Sequence, residues 1–277
     1  MNVRRNIDLG AEVRDAHAQA VAGLERSSLF ALLGECLGKL PPDLELPPGN
    51  ITVRFGGPRP ADGEPTPDVV WSEIKEEFAE YCIRYAIVGM ITTCEVYLQR
   101  LLLIARLGQE ANQHGGSLTG ETFYTIRNRC LKEIRSLSVD GLAKKAVETV
   151  GRDTSAVTGS EWFRSVYGLR RCLLHRGGIV GQEYVDDKRL LTAVWRRPIL
   201  SVDGEDISVL PFYVEKGGTL AIRFADEIRS WHVGERLQLT AQDCQNIGLS
   251  LAIFAGQIAD ELQKGLATML KSGADIG

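Results

Sequence analysis

Apolar positions along the chain recur mostly at helical spacing. In residues 10–40, Val13, Ala16 or Ala20, and Leu24 are followed by Leu29, Leu32, Leu33 and Leu37 near a 3.6-residue period. This predicts a helix or two, with Ser27-Ser28 placed to cap the second piece. The longest amphipathic stretch is 71–108, where Ile74, Phe78, Tyr81, Tyr85, Val88, Thr92, Val96, Leu102 and Leu103 share a face. The acidic run Glu73–Glu77 suits its N-terminal end by the helix dipole. Its second half is apolar nearly all round, which predicts a central helix. Glu95 lies in that half and needs a partner if buried.

Gly115-Gly116 interrupts the pattern, and helices are expected at 119–136 and 139–150. Thr158-Gly159-Ser160-Glu161 offers a further helix start. That helix runs from Trp162 to His175 and stops at Gly177-Gly178, the residue type a helix C-terminus favours. Residues 190–240 change character. Val209-Leu210, Phe212-Tyr213-Val214, Gly217-Gly218 and Leu220 to Phe224 read as a β-hairpin, with Trp231-His232-Val233 and Leu237-Gln238-Leu239 as additional strand. Arg196-Arg197 before Pro198 reads as a solvated strand end. Thr240-Ala241-Gln242-Asp243 opens a last helix through Leu262 or beyond. The predicted fold is mainly α: a bundle of roughly four or five core helices with a small β insertion at 190–240 before the last helix.

Residues 41–70 hold eight of the ten prolines. The expected organisation is an N-terminal helical arm over 1–40, a Pro-rich linker over 41–70 and a helical domain over 71–277.

With 277 residues, 44% hydrophobic and 25% charged, the composition is that of a globular protein. A net charge of −4 gives no global pull toward nucleic acid or anionic membrane, so such a partner needs a local basic patch. The six cysteines are scattered without a CxxC pair, as expected for small buried residues in a reducing compartment. Met1 to Asp8 is polar and lacks the apolar run of a signal peptide. Ala86 to Ala105 is the most apolar stretch, but Glu95, Gln99 and Arg100 favour a core helix over a membrane span. A cytoplasmic protein without a membrane partner is therefore expected. The four histidines lie far apart, giving no metal-ligand spacing. Gly34 to Lys39 departs from a P-loop in its glycine spacing and in Leu40, and reads as a helix end. No cofactor is expected.

The chemistry-bearing run is Gly168-Leu169-Arg170-Arg171-Cys172-Leu173-Leu174-His175-Arg176-Gly177-Gly178. An Arg, four residues, then a His at a helix end resembles the signature of the HEPN superfamily. Glu95 within Cys94-Glu95-Val96-Tyr97-Leu98 resembles the Glu of that family's other core helix, and 241–264 its closing helix. The resemblance spans roughly 71–185 and 240–265. It implies a HEPN-like bundle and a metal-independent endoribonuclease acting as a homodimer, with Arg170 and His175 catalytic. It further implies a toxin–antitoxin or anti-phage setting, with an antitoxin or other protein partner. The position after the first Arg is usually a small polar residue and here is Arg171. The residue two places after the His, a tyrosine in a modified variant of the family, is Gly177.

The residue types suit that chemistry. Cleaving RNA by its own 2′-hydroxyl needs a group that moves protons near neutral pH, the ordinary role of histidine. It also needs a cation for the phosphorane charge, a role arginine fills bidentately. On a regular helix His175 lies about 40° from Arg171 and about 140° from Arg170. Residues 161–200 carry eight Lys/Arg against four Asp/Glu, so Arg164, Arg171 and Arg176 are candidates to hold phosphate. Glu95 is expected to orient an arginine of the motif helix. Trp162, Phe163 and Tyr167 read as core packing. The alternative is a non-catalytic HEPN-like binding or scaffold protein that forms a dimer.

Overall fold

A computed structural model describes residues 8–39, 71–114, 118–207 and 218–274. It contains six α-helices among those residues: α1 (Leu9–Gly38), α2 (Trp71–Gln113), α3 (Gly120–Ser136), α4 (Val139–Thr149), α5 (Ser160–Arg176) and α6 (Ala241–Ala274). A three-stranded antiparallel sheet stands before the last helix, formed by β1 (Leu190–Val202), β2 (Glu205–Ile207) and β3 (Leu220–His232) in the order β2-β1-β3. The Pro-rich segment lies outside the described residues.

The helix starts follow local chemistry. Asp8, Thr119 and Ser138 each accept a backbone N–H three residues on, capping α1, α3 and α4. At α6 the cap is reciprocal: Thr240 N–H donates to Asp243 Oδ2 at 2.7 Å, and Asp243 N–H donates to Thr240 Oγ1 at 3.1 Å. Glu35 of α1 then accepts the Ala241 N–H at 2.9 Å, so a residue far away in sequence completes that helix start.

α2 is the axis of the bundle and touches each of the other five helices. Ile87, Met90, Ile91, Leu98, Leu101 and Leu102 are fully buried along it, which is why its pattern loses its polar face there. The 77–113 stretch of α2 is long and apolar enough to cross a bilayer, and half of its most apolar window is buried inside the fold. Tyr97 donates to the Ala255 carbonyl at 2.9 Å and ties α2 to α6.

α1 does not stand apart as an arm. Leu9, Val13, Ala16, Ala20, Leu24 and Ala31 join the common core against α2 and α6. Gly34 lets the two backbones close, because a Cβ there would collide with the Cys82 side chain. Gly23, Gly34 and the alanines of this contact add little hydrophobic signal beside Leu9, Val13 and Leu24, so the sequence pattern alone underweights it.

The β insertion is built on a long first strand, β1. β3 pairs along its whole length with β1, from Leu190↔His232 to Val202↔Leu220. β2 pairs with β1 only at Leu200–Val202. Residues 209–214 lie outside the described segments, and 237–239 form no strand. β1 runs on through Arg196, Arg197 and Pro198, so those residues are inside a strand rather than at its end. Among the described residues Pro198 is flanked by β3 alone, the edge-like setting in which a strand tolerates proline. The first half of β1 is fastened to the bundle: Val194 N–H donates to Ser165 Oγ at 2.9 Å and Arg196 N–H to Ser250 Oγ at 2.7 Å, with Trp195 fully buried between.

Candidate functional site

α5 carries the Arg and His of the motif. Its inner side, Trp162, Phe163, Val166, Leu169, Cys172 and Leu173, is buried. Phe163 stacks on Phe254 of α6 with ring centres 5.8 Å apart. Gly177 ends the helix in the left-handed conformation (φ 58°), as a C-terminal glycine does. Beyond it the chain is pinned to the loop after β3: Val180 N–H donates to the Glu235 carbonyl at 2.8 Å and Leu237 N–H to the Gly178 carbonyl at 2.8 Å. The motif thus ends on a fastened turn.

The five motif-region side chains meet different surroundings. Arg170 is half-buried in the seam between α5 and α2. One terminal nitrogen lies 3.7 Å from Glu95 Oε2, the other donates to Tyr167 Oη at 3.3 Å, and the guanidinium sits 5.4 Å from the Tyr167 ring centre. Its Nε is buried with no hydrogen-bond partner among the described residues. Glu95 is half-buried as well, with its carboxylate toward Arg170. Arg171 is exposed and lies over the Tyr184 ring at 5.4 Å. Arg176 forms a two-pronged pair with Glu183, at 2.9 and 3.3 Å. Glu183's carboxyl is lowered from its ordinary value by a hydrogen bond to its own backbone N–H and by the neighbouring Arg176. Arg164, two turns back, pairs with Asp140 at 3.0 Å.

His175 is exposed and makes no hydrogen bond or ion pair with the described residues. It shows no contact with Arg170, which agrees with the angle of about 140° between them on a regular helix. One chain therefore brings Glu95 and Arg170 together, and sets His175, Arg171 and Arg176 on another side of the helix. The basic run is not a bare cationic patch: a carboxylate or a ring faces each of the four arginines. Trp162 and Phe163 are core residues, with the Arg196 guanidinium 4.6 Å over the Trp162 ring. No group of three or more His, Cys, Asp or Glu that would hold a metal occurs among the described residues.

The sequence did not single out Tyr167 as a partner of Arg170, nor Asp140. Tyr167 stands three residues before Arg170, a helical i, i+3 pair that was legible in principle. Asp140 reads locally as an acidic residue of a first helical turn, and its meeting with Arg164 depends on the packing of α4 on α5. Together with Glu95, Asp140 and Tyr167 line a cavity of about 350 Å³ between α2, α4 and α5.

Compared with known proteins, the chain matches no family model, no curated protein and no solved structure.

Proposed function

We propose that this chain is a HEPN-like, metal-independent endoribonuclease whose site is completed by a second copy. The observation that carries the reading is the contrast on one helix end. Arg170 is held in place by Glu95 and Tyr167, while His175 stands exposed with no partner among the described residues. A histidine kept for packing or capping is normally hydrogen-bonded, and a cation kept for the surface is normally not oriented by a half-buried carboxylate.

In this reading Arg170 of one copy faces His175 of the other. His175 accepts the proton of an RNA 2′-hydroxyl as that oxygen attacks the adjacent phosphorus, and Arg170 binds the charged phosphorane oxygens. The bond to the 5′-oxygen breaks, water protonates it, and the products are a 2′,3′-cyclic phosphate and a 5′-hydroxyl. Exposed apolar groups flank the Arg170 seam: Leu174, one turn on, is 48% exposed and Val96, beside Glu95, is 58% exposed. Both suit coverage by a second copy.

A second reading is a non-catalytic HEPN-like dimeric binding protein. The engagement of Arg164, Arg171 and Arg176 by Asp140, Tyr184 and Glu183 favours it, since none is left bare for phosphate. The deciding experiment is cleavage of a mixed-sequence RNA in EDTA by the parent, Arg170→Ala and His175→Ala proteins. Cleavage by the parent to 2′,3′-cyclic ends, abolished by both substitutions, is expected. No cleavage by the parent, or equal cleavage by all three, overturns the enzyme reading in favour of the binding protein.

A further inference from the structure

The two edges of the sheet are treated differently. On one side of β1 the bundle takes up the backbone of its first half, where Ser165 Oγ and Ser250 Oγ accept the Val194 and Arg196 N–H groups. The far end of β1 is covered by β2, a strand of 3 residues. Short or capped edges do not recruit further strands. β3 is the opposite case. It runs for 13 residues, Leu220 to His232, in unbroken register with β1, and contains neither proline nor lysine. It stands at the outside of the order β2-β1-β3, and among the described residues no strand pairs with its outer edge. Its extended contact is with β1, and no described helix lies along it. A long edge without such guards is the setting in which another strand adds to a sheet.

The side chains of β3 carry further signals. Directly opposed residues of an antiparallel pair share a face, so Ile222 stands with Leu200 of β1, and Ile228 with Val194. Ile222 and Ile228 are 60% and 65% exposed, unusual for two isoleucines on one strand face. On the other face Arg229 is shared by Glu227 at 2.9 Å and Asp243 at 2.7 Å. Two carboxylates on one guanidinium leave an excess of negative charge. Arg223, on the same face as Glu227, touches Asp206 and is still more than half exposed.

We infer that β3 pairs antiparallel with β3 of a second copy about a two-fold axis at Ala225, joining the two sheets edge to edge. Such an axis, perpendicular to the sheet, keeps every residue on its own face, so a register is defined by the residue that meets its own copy. With Ala225 at the axis, Arg223 of one copy stands opposite Glu227 of the other, and Ile222 opposite Ile228, each pair occurring twice. Phe224 stands opposite Asp226, whose carboxylate is held by Arg196 at 3.1 Å. The other registers are worse. An axis at Asp226 sets Asp226 against itself and Arg223 against Arg229, and an axis at Phe224 sets Ile222 against Asp226. Axes at Arg223, Glu227 or Arg229 each set a charge against its own copy. An axis at Ile228 pairs only 224–232 and leaves Ile222 without a counterpart. Backbone bonding alone accepts any strand; this matching of charge and apolar positions is what selects a second copy. The inference goes beyond the nuclease reading and does not rest on it, since β3 holds none of Glu95, Arg170 and His175. Where the α5 pairing forms as well, the two interfaces build an assembly of more than two chains.

The test is sedimentation velocity of the full-length protein over a range of concentrations, with hydrogen–deuterium exchange of residues 220–230 in parallel. Reversible self-association is expected, with that segment more protected as concentration rises. Arg223→Glu and Glu227→Arg each set like charges opposite one another twice, and each is expected to weaken association about tenfold or more. The double variant swaps the pair and is expected to associate within about threefold of the parent. Within one strand the two residues lie about 13 Å apart, too far to pair in a single chain, so a role confined to one chain gives no such rescue. Ile228→Lys changes a side chain exposed in the single chain. It is expected to weaken association while leaving the melting temperature of the dissociated chain unchanged. Leu174→Asp, on α5, is expected to leave the protection of 220–230 as in the parent. A monomer at every concentration, association that leaves 220–230 unprotected, or a double variant as weak as the single ones overturns the proposal. RNA cleavage is not read in this test, so the failure of the nuclease reading and the failure of this pairing are separate results.

Discussion

The two halves of α5 are made of the same helix but lead different lives. The first half, through Leu169, is a wall of the core: Trp162, Phe163, Val166 and Leu169 are buried, and Ser165 bonds to β1. The second half keeps Cys172 and Leu173 inside but turns Arg171, Leu174, His175 and Arg176 outward, with Arg170 held in the seam between. The difference teaches how a short motif is made precise. The motif's polar residues sit on the outward-facing end of an element whose other end is locked by packing, and the turn after Gly177 fastens that outward end as well.

Breaking the anchored half gives the largest effect on the fold. Phe163→Ala removes a fully buried ring stacked on Phe254, and a loss of about 3–5 kcal/mol is expected in denaturant titration. His175→Ala at the exposed end is expected to change stability by less than about 0.5 kcal/mol. Comparable losses for the two would erase the distinction drawn here.

Function is expected to sort the opposite way. Arg170→Ala and His175→Ala each lower RNA cleavage by about 10²–10³-fold or more, measured at enzyme concentrations where the parent cleaves to completion. Glu95→Gln leaves Arg170 in place with a weaker hold, so a smaller fall of about tenfold is expected, with the KM for RNA nearly unchanged and kcat reduced. A fall in stability with cleavage unaffected would make the Glu95–Arg170 contact purely structural.

Acid sharpens the comparison of ion pairs. Burial raises the Glu80 carboxyl, but Arg236 and Arg84 outweigh it and leave it below its ordinary 4.5, and Glu35 is lowered by Lys39 and the Ala241 N–H. A depressed carboxyl contributes stability above its unfolded value and loses it as pH falls through the folded value. The contribution of these pairs is therefore constant at neutral pH and declines below about pH 4.5. Thermal melts from pH 7 to 3 show this as a midpoint that begins to fall near that value, and the fall is smaller in Glu80→Gln. A flat profile in the parent would contradict it.

The smallest effect concerns the thiols. Cys36 is exposed, whereas Cys82, Cys94, Cys130, Cys172 and Cys244 are buried. Burial pushes Cys94 up to about 12 and Cys130 and Cys172 up to about 11. One fast-reacting thiol in the native protein and six in denaturant is the expected count by a chromogenic disulfide reagent. A second fast thiol under native conditions would mean that the α1–α2 or α5 packing opens readily.

Much of the helical frame was legible because burial writes a 3.6-residue period. The 71–108 pattern marks α2 and its central place, and Thr240 with Asp243 marks the start of α6. The docking of α1 in the core was legible only in part: Val13 and Leu24 mark its apolar side, but Gly23, Gly34 and the alanines that let it close on α2 carry little hydrophobic signal. The first strand escaped because Arg196, Arg197 and Pro198 look like a terminus, yet the strand continues through them beside β3. At the site, the motif residues were readable one by one. Their grouping was not, since whether Arg170 turns to Glu95 and Arg164 to Asp140 is decided by helix packing and not by spacing along the chain.

The central claim is that Arg170 and His175 act across a pair of chains, and complementation tests it most directly. Co-purified heterodimers of Arg170→Ala and His175→Ala chains contain one site in which both residues are intact if each site takes Arg170 from one copy and His175 from the other. A random mixture of the two inactive variants is then expected to regain roughly a quarter of parental cleavage, since half the dimers are mixed and each has one working site. No recovery from a mixture that exchanges subunits, while the parent cleaves, would place both residues in one chain's site and contradict the account.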